Sequence, residues 1–210
     1  MGYCRADYTT ELNRRYHDEQ WGVPLHDDRG QFEFLSLEVM QCGISWGIVM
    51  KKRAVLRECF DGFDFERVAR YTQDDVERIM QTDGAIRNRR KIEAIVSNAH
   101  AFLQVREEFG TFSDYLWAFT GGATVLYEGH EDGWIPASNG LSDDISKDLK
   151  RRGFKFTGPV VIYAHLQACG LINDHDRSCP CYQRLVEAYP TVRKACCREK
   201  DVRYYGDAPA

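Results

Sequence analysis

Apolar residues recur along this chain mainly at helical spacing. Leu35, Val39 and Met40 share one face, as do Trp46, Val49 and Met50 beyond a break at Gly43. Asp27-Asp28 predicts the cap of a helix over roughly 30–42, and Ser45 predicts the N-cap of a second helix reaching about Phe60. FDGFDFERVARYT then reads as a turn and a short helix. Thr72 and Asp75 match a capping box opening a helix to about Gln81, which Asp83-Gly84 ends. Residues 88–107 form a long amphipathic helix with Ile92, Ile95, Val96, Ala99 and Leu103 on one face. Ser113 predicts the cap of a short aromatic helix, DYLWAF. Residues 120–141 are Gly-rich and aperiodic, the longest expected loop, with Trp134-Ile135-Pro136 as its anchor. Ser142 opens a helix ending in KRRG, and Pro159 suits the first position of the next, PVVIYAHLQACGL, apolar nearly all round and so expected to be buried. A final helix covers about 182–188. Strand signals are few, so the expected fold class is all-α.

Composition adds bounds to that pattern. Hydrophobic residues make up 43% of 210, enough for a real core. No apolar run approaches the ~18 residues of a membrane span, so no membrane role is expected. The start, MGYCRADYTT, has no signal-like apolar region, which points to a cytoplasmic protein. A net charge of −4 does not announce a nucleic-acid binder, so such a role must rest on local patches. The even number of cysteines, eight, would allow disulfides. The missing signal and the apolar neighbours of Cys42, Cys59 and Cys169 instead predict reduced core thiols.

Four constellations carry candidate chemistry. Glu38 stands in an apolar helix; periodicity alone favours a solvated flank over a buried carboxylate with a function, and both stay open. Cys4, His17, His175 and Cys179 would make a closed tetrahedral zinc set, structural because no position is left open. Spacing does not pair ligands from opposite ends of a chain, and Cys181 competes with Cys179. KDLKRRGFKFTG, residues 147–158, reads as helix, tight turn, helix, whose amides beside Lys150, Arg151, Arg152 and Lys155 suit a phosphate; the alternative is an ordinary connection with a solvated basic face. AIRNRRK, residues 85–91, is a second basic turn. Tyr16, Trp21 and Trp46 with Glu38 would attract a flat cation, or simply pack in the core.

Taken together, YHDEQWGVP, the segment Glu38–Arg53 with GISW and KKR, the block from Lys147 to His175 and the cysteine beyond it resemble the type I 3-methyladenine DNA glycosylases, across roughly residues 4–182. That family belongs to the helix-hairpin-helix DNA glycosylase superfamily, and GFKFTG resembles its hairpin. The resemblance implies a structural Zn2+ at Cys4, His17, His175 and Cys179, tying the N- and C-terminal segments. It implies that Glu38 recognises the damaged base, that Tyr16 and Trp46 stack around it with Trp21 nearby, and that Gln41 and Ser45 shape the pocket. Ile44 would face the DNA stack, and Gly153, Lys155, Thr157 and Gly158 would meet the backbone. The implied activity is hydrolysis of the N-glycosidic bond of alkylated adenine in damaged double-stranded DNA after base flipping. It would be monofunctional, since no lysine stands as an obvious Schiff-base nucleophile, and monomeric. Asp174 is the nearest candidate for a further catalytic acid, or it orients a metal ligand. The chain departs from the family pattern at Ala6, at Asn13 and in MQCGISW, thinning the aromatic lining. Residues 1–183 are expected to hold the glycosylase-like body and 184–210, with Cys196-Cys197, an extension. The rivals are a domain that binds distorted DNA without excision and a zinc hydrolase, which requires an open metal position.

Overall fold

The computed structural model describes Cys4 and residues 10–195; Ala6, Cys196 and Cys197 lie outside the described residues. Among the described residues, ten α-helices follow in order: α1 (Glu11–Glu19), α2 (Asp28–Gln41), α3 (Trp46–Cys59), α4 (Phe65–Val68), α5 (Gln73–Gln81), α6 (Arg89–Phe109), α7 (Phe112–Ala118), α8 (Gly140–Arg151), α9 (Pro159–Ala168) and α10 (Pro180–Ala188). Two short strands, β1 (Thr124–Tyr127) and β2 (Thr191–Lys194), pair in parallel. The fold is therefore predominantly helical, as expected, with one small sheet. Residue 183, taken as the end of the glycosylase-like body, falls inside α10, and β2 joins residues 191–194 to β1.

Local chemistry explains most of the boundaries. Asp27 accepts the Gly30 amide at 2.7 Å and starts α2. Thr72 and Asp75 form the reciprocal box that starts α5. Pro159 stands in the first turn of α9. Three expectations are corrected. Helix α7 is capped by Thr111, whose hydroxyl accepts the Asp114 amide at 2.8 Å, while Ser113 lies inside the helix and its amide is taken by Asp28 at 2.9 Å. Helix α8 is capped by Asn139, with Ser142 as the third residue of a capping box. The loop expected at 120–141 contains β1, a run of four residues too short to carry a legible alternation. Helix α1, whose N-terminus Thr10 caps, was not marked by the apolar pattern because little of it is buried.

Helix α2 is the centre of the molecule. Residues 31–40 are all buried, and α3, α6, α7 and α9 pack around it. An apolar face presupposes an opposite wet face, and α2 has none over these positions. That is why Glu38, which periodicity left between a solvated flank and a buried carboxylate, is only 4% exposed. Helix α9 is buried on its other side against the chain that follows α1. Gly22 donates to the Gln167 carbonyl at 3.1 Å and Leu25 to that of Cys169 at 3.1 Å. Gly170, at φ +76°, brings the two segments so close that a Cβ would meet the Pro24 nitrogen at 2.5 Å. This contact sets α1 beside α9 and so builds the walls of the site below.

Candidate active site and metal cradle

A cleft of about 370 Å³ opens between α1, α2, α3 and α9. Tyr16 and His17 come from α1, Glu38 and Gln41 from α2, Trp46 from α3, and Ala164 and Gln167 from α9, with Trp21, Asn13, Ser45 and Gly47 completing the lining. Tyr16 and Trp46 lie with ring centroids 5.2 Å apart, tilted by 49°, and Phe34 supports Tyr16 from behind at 6.1 Å. Among the described residues nothing hydrogen-bonds the Glu38 carboxyl, and the buried Trp46 Nε1 has no acceptor. Burial pushes Glu38 up to about 8. Burial raises Tyr16 as well, with the Glu38 charge adding to it. The cleft thus offers aromatic faces, an unpartnered acid and an unpartnered donor, a combination that receives a flat, positively charged ring.

The predicted base-site residues Tyr16, Trp21, Glu38, Gln41 and Trp46 all reach this cleft, as does Ser45. Ile44 does not; it sits half-buried in the turn just before α3. Gly153, Lys155, Thr157 and Gly158 lie in the turn between α8 and α9, outside the lining. Gln167 and Ala164 were missed, because α9 reads as buried all round; its lone glutamine was the available signal. Asp174 lies behind the cleft, fully enclosed. It accepts Gln167 Nε2 at 2.7 Å and the Tyr163 hydroxyl at 2.7 Å, and its other oxygen lies 2.7 Å from His130 Nδ1. It supports a wall of the cleft and does not enter it.

Beside the cleft, Cys4, His17, His175 and Cys179 bring one ligand atom each to within 4.8 Å of one another, all buried. Cys4 Sγ lies 3.4 Å from His175 Nδ1, and Cys179 Sγ lies 3.7 Å from the same nitrogen and 3.8 Å from His17 Nε2. Ligand atoms around a tetrahedral zinc stand about 3.5 Å apart, so this donor set suits that ion. The outward ring nitrogens have partners of their own: His17 Nδ1 donates to Asp18 at 2.8 Å and His175 Nε2 to the Trp21 carbonyl at 3.1 Å. These bonds turn the remaining nitrogens inward. Burial holds both imidazoles neutral, His175 down to about 3, with His17 adding to that effect. Burial also pushes the Cys4 thiol up to about 12, a cost that a bound cation would offset. The Asp176 amide donates to Cys4 Sγ at 3.1 Å. Cys181 falls in a second group, with His17 and Asp18. Trp21 packs on His17 at 5.6 Å and edge-on to His175 at 4.5 Å, so it belongs to both sites. Of the three thiols expected in the core, Cys59 and Cys169 are buried; Cys42 is half-exposed, because it follows the last turn of α2.

The basic turns are less cationic than their sequence implies. Arg87 pairs with Asp83, Arg89 with Glu77, and Lys91 is buried. Arg151 and Arg152 pair with Asp148, and Arg152 also with Glu108. Lys150 and Lys155 form no ion pair among the described residues.

Known proteins bear on this arrangement. The methyladenine glycosylase family profile matches residues 6–182. The DNA-3-methyladenine glycosylase 1 of Escherichia coli (strain K12) is 46% identical over 167 residues, 80% of this chain and 89% of that protein. A crystal structure of 3-methyladenine DNA glycosylase I superposes with a TM-score of 0.80 at 44% identity, covering 86% of this chain and all of that one. A variant of 3-methyladenine DNA glycosylase I, crystallised in complex with 3-methyladenine, gives 0.81 at 35% identity over 86% of this chain and 97% of its own. With its cleft, its helical frame and this similarity along most of its length, the chain belongs to the methyladenine glycosylase family.

Proposed function

We infer that this protein is a DNA glycosylase that removes 3-methyladenine from DNA by hydrolysing its N-glycosidic bond. The observation that carries the reading is Glu38, a buried carboxyl without a hydrogen-bond partner among the described residues, set among Tyr16, Trp46 and Gln41 in a chain of this family. An adenine nucleotide alkylated at N3 is cationic, and its base leaves as a neutral molecule. Water forms the new bond to the sugar carbon, the carbon–nitrogen bond breaks, and the water proton passes to solvent. The leaving group is already activated, so little acid catalysis is needed. What the protein supplies is extraction and selection. A cationic base entering the cleft favours the ionised form of Glu38, and the ion pair is absent for ordinary adenine. Tyr16 and Trp46 add cation–π attraction of about 1–2 kcal/mol each where desolvated. Leaving the stack costs a few kcal/mol, offset by these contacts and by those to the DNA backbone.

On the DNA side, we propose that α8, its turn and α9 form a helix-hairpin-helix that binds duplex DNA as a monomer. Gly153, Lys155 and Gly158 would meet a backbone phosphate, with the first amides of α9 free of intrahelical partners, whereas Thr157, expected to join them, is buried at 1% exposure and its carbonyl accepts the Ser146 hydroxyl at 2.6 Å. Because Arg151 and Arg152 are ion-paired, the amides and Lys155 carry most of that contact. Ile44 and Ser45 would fill the stack beside the vacated base. We further propose that Cys4, His17, His175 and Cys179 hold a zinc ion. It supplies no chemistry beyond joining the two ends of the chain, because four protein donors leave no open position for a hydrolytic water. Among the described residues no helix is long and apolar enough to cross a membrane. Activity on DNA accords with the cytoplasmic location expected from the sequence.

The test is chromatography of bases released from methylated duplex DNA. Free 3-methyladenine is the expected product. Intact binding to methylated DNA with no base released would favour the damage-binding rival. One zinc per chain, and a tetrahedral spectrum on cobalt substitution, is the expected result for the cradle.

A further inference from the structure

Helix α6 carries two buried polar side chains that neither cleft nor cradle uses. Lys91 is 5% exposed and Asn98 is 2% exposed. Lys91 Nζ donates to the Met40 carbonyl, in the last turn of α2, at 2.8 Å and to the carbonyl of Cys42, its C-cap, at 2.5 Å. Asn98 makes a two-way clamp on one residue of the α8–α9 turn: its Nδ2 donates to the Lys155 carbonyl at 3.0 Å, and its Oδ1 accepts the Lys155 amide at 2.7 Å. The two side chains are seven residues apart, two helical turns and about 10 Å along the axis. They therefore project from the same face of one rigid helix.

What they hold is alike. Each turn contains a glycine in the left-handed region, Gly43 at φ +82° and Gly153 at φ +92°, with open space where a Cβ would stand. Each presents exposed residues to that space: Ser45 and Ile48 follow one glycine, Lys155 and Phe156 the other. A lysine buried against carbonyls, and an asparagine whose amide is used up on one backbone unit, are costly ways to stabilise a core that α6 already supplies with apolar contacts. They are effective ways to fix where a turn sits.

We propose that Lys91 and Asn98 are positioning residues, and that α6 is the spacer that sets the Ile44 turn and the 153–157 turn at a fixed separation for one DNA duplex. The proposal rests on the glycosylase reading for the role of the two turns. Lys91 acts through the Ile44 turn and so matters when a nucleotide is displaced. Asn98 acts through the hairpin and so matters whenever duplex is bound. Neither touches the base.

Four measurements on purified full-length protein separate these roles: melting temperature, quenching of tryptophan fluorescence by free 3-methyladenine, binding to a duplex holding an abasic-site analogue, and single-turnover base release. Lys91→Met is expected to slow release about tenfold, as losing a charged hydrogen-bond pair predicts, with affinity for the free base unchanged. In an Ile44→Ala background the same change is expected to cost nothing further, since the two act as one unit. Asn98→Leu is expected to weaken duplex binding about tenfold, again with the free base unaffected. Should either variant melt near the assay temperature, Lys91→Gln and Asn98→Asp, which each keep part of the bonding, take its place. Equal loss of free-base and duplex binding would overturn the proposal, as would Lys91→Met and Ile44→Ala effects that simply add. The duplex-binding arm does not depend on base release, so failure of the glycosylase reading shows separately, as a wild-type protein that binds but releases nothing.

Discussion

The proposed metal cradle and the proposed base cleft are neighbours that share His17 and Trp21, yet their polar groups are arranged in opposite ways. In the cradle every ring nitrogen that faces away from the centre has a partner, and the four inward atoms stand at mutual distances suited to one ion. In the cleft, among the described residues, Trp46 Nε1 has no acceptor and nothing hydrogen-bonds the Glu38 carboxyl. A polar set that satisfies itself is a staple. A buried polar set left open costs free energy in the empty protein, and that cost is returned only when a complementary ligand enters. The contrast favours the cleft over the cradle as the place where the proposed substrate binds.

Breaking the staple has the largest expected effect. Cys4→Ser removes one of four ligands and frees the N-terminal segment. Metal content is expected to fall below one per chain and the melting temperature to drop by about 10 °C, which for a chain this size is about 4 kcal/mol. Activity below the new melting point should be retained in proportion to folded protein. A stable, metal-free variant with lost activity would assign the cradle a role in catalysis.

The cleft side of the comparison predicts a pH dependence. Unfolded, Glu38 titrates near 4.5; folded and empty, near 8. Between those values the folded protein holds a proton that the unfolded chain has released. This group's contribution to stability is therefore full below pH 4.5 and is lost as pH rises through 8. Glu38→Gln has no such loss. Its stability relative to wild type is expected to increase between pH 5 and pH 9, by at most about 4–5 kcal/mol. Parallel melting curves for the two proteins across that range would show that the carboxyl is not buried unpaired.

The smallest effect concerns the thinned lining. Asn13, which the resemblance marks as a departure that thins the aromatic lining, does line the cleft. Asn13→Tyr is expected to tighten binding of free 3-methyladenine by about twofold to fivefold through one added aromatic face. Unchanged affinity would mean that Tyr16 and Trp46 already supply all the stacking the base uses.

How much of this the sequence made legible follows from the range of each interaction. Asp27, the Thr72–Asp75 box and Pro159 act within one turn, and the helices they start were predicted. Glu38 was ambiguous because its burial depends on α3, α6, α7 and α9 closing around α2, which periodicity in one helix does not record. The two strands pair positions 67 apart in the chain (Thr124 with Thr191) and are four residues each, below the length at which alternation can be recognised. The basic turns looked more cationic than they are because partners such as Glu77 for Arg89 and Glu108 for Arg152 come from other elements. Ligands and base-site residues from distant parts of the chain could be grouped by residue type, but spacing does not join opposite ends of a chain, and only the family resemblance implied their pairing. Lys91, which the sequence shows only as the last residue of a second basic turn, emerged from the packing of α6 on α2.

The most direct test of the account is single-turnover release of 3-methyladenine from methylated duplex DNA by wild type and Glu38→Gln, with binding to an abasic-site duplex measured on the same samples. The account predicts release slowed by about a hundredfold or more, the loss of one charge-assisted contact in a closed site, with duplex binding unchanged. Release at the wild-type rate by a folded Glu38→Gln protein would contradict it, and would leave the aromatic faces alone as the source of selection.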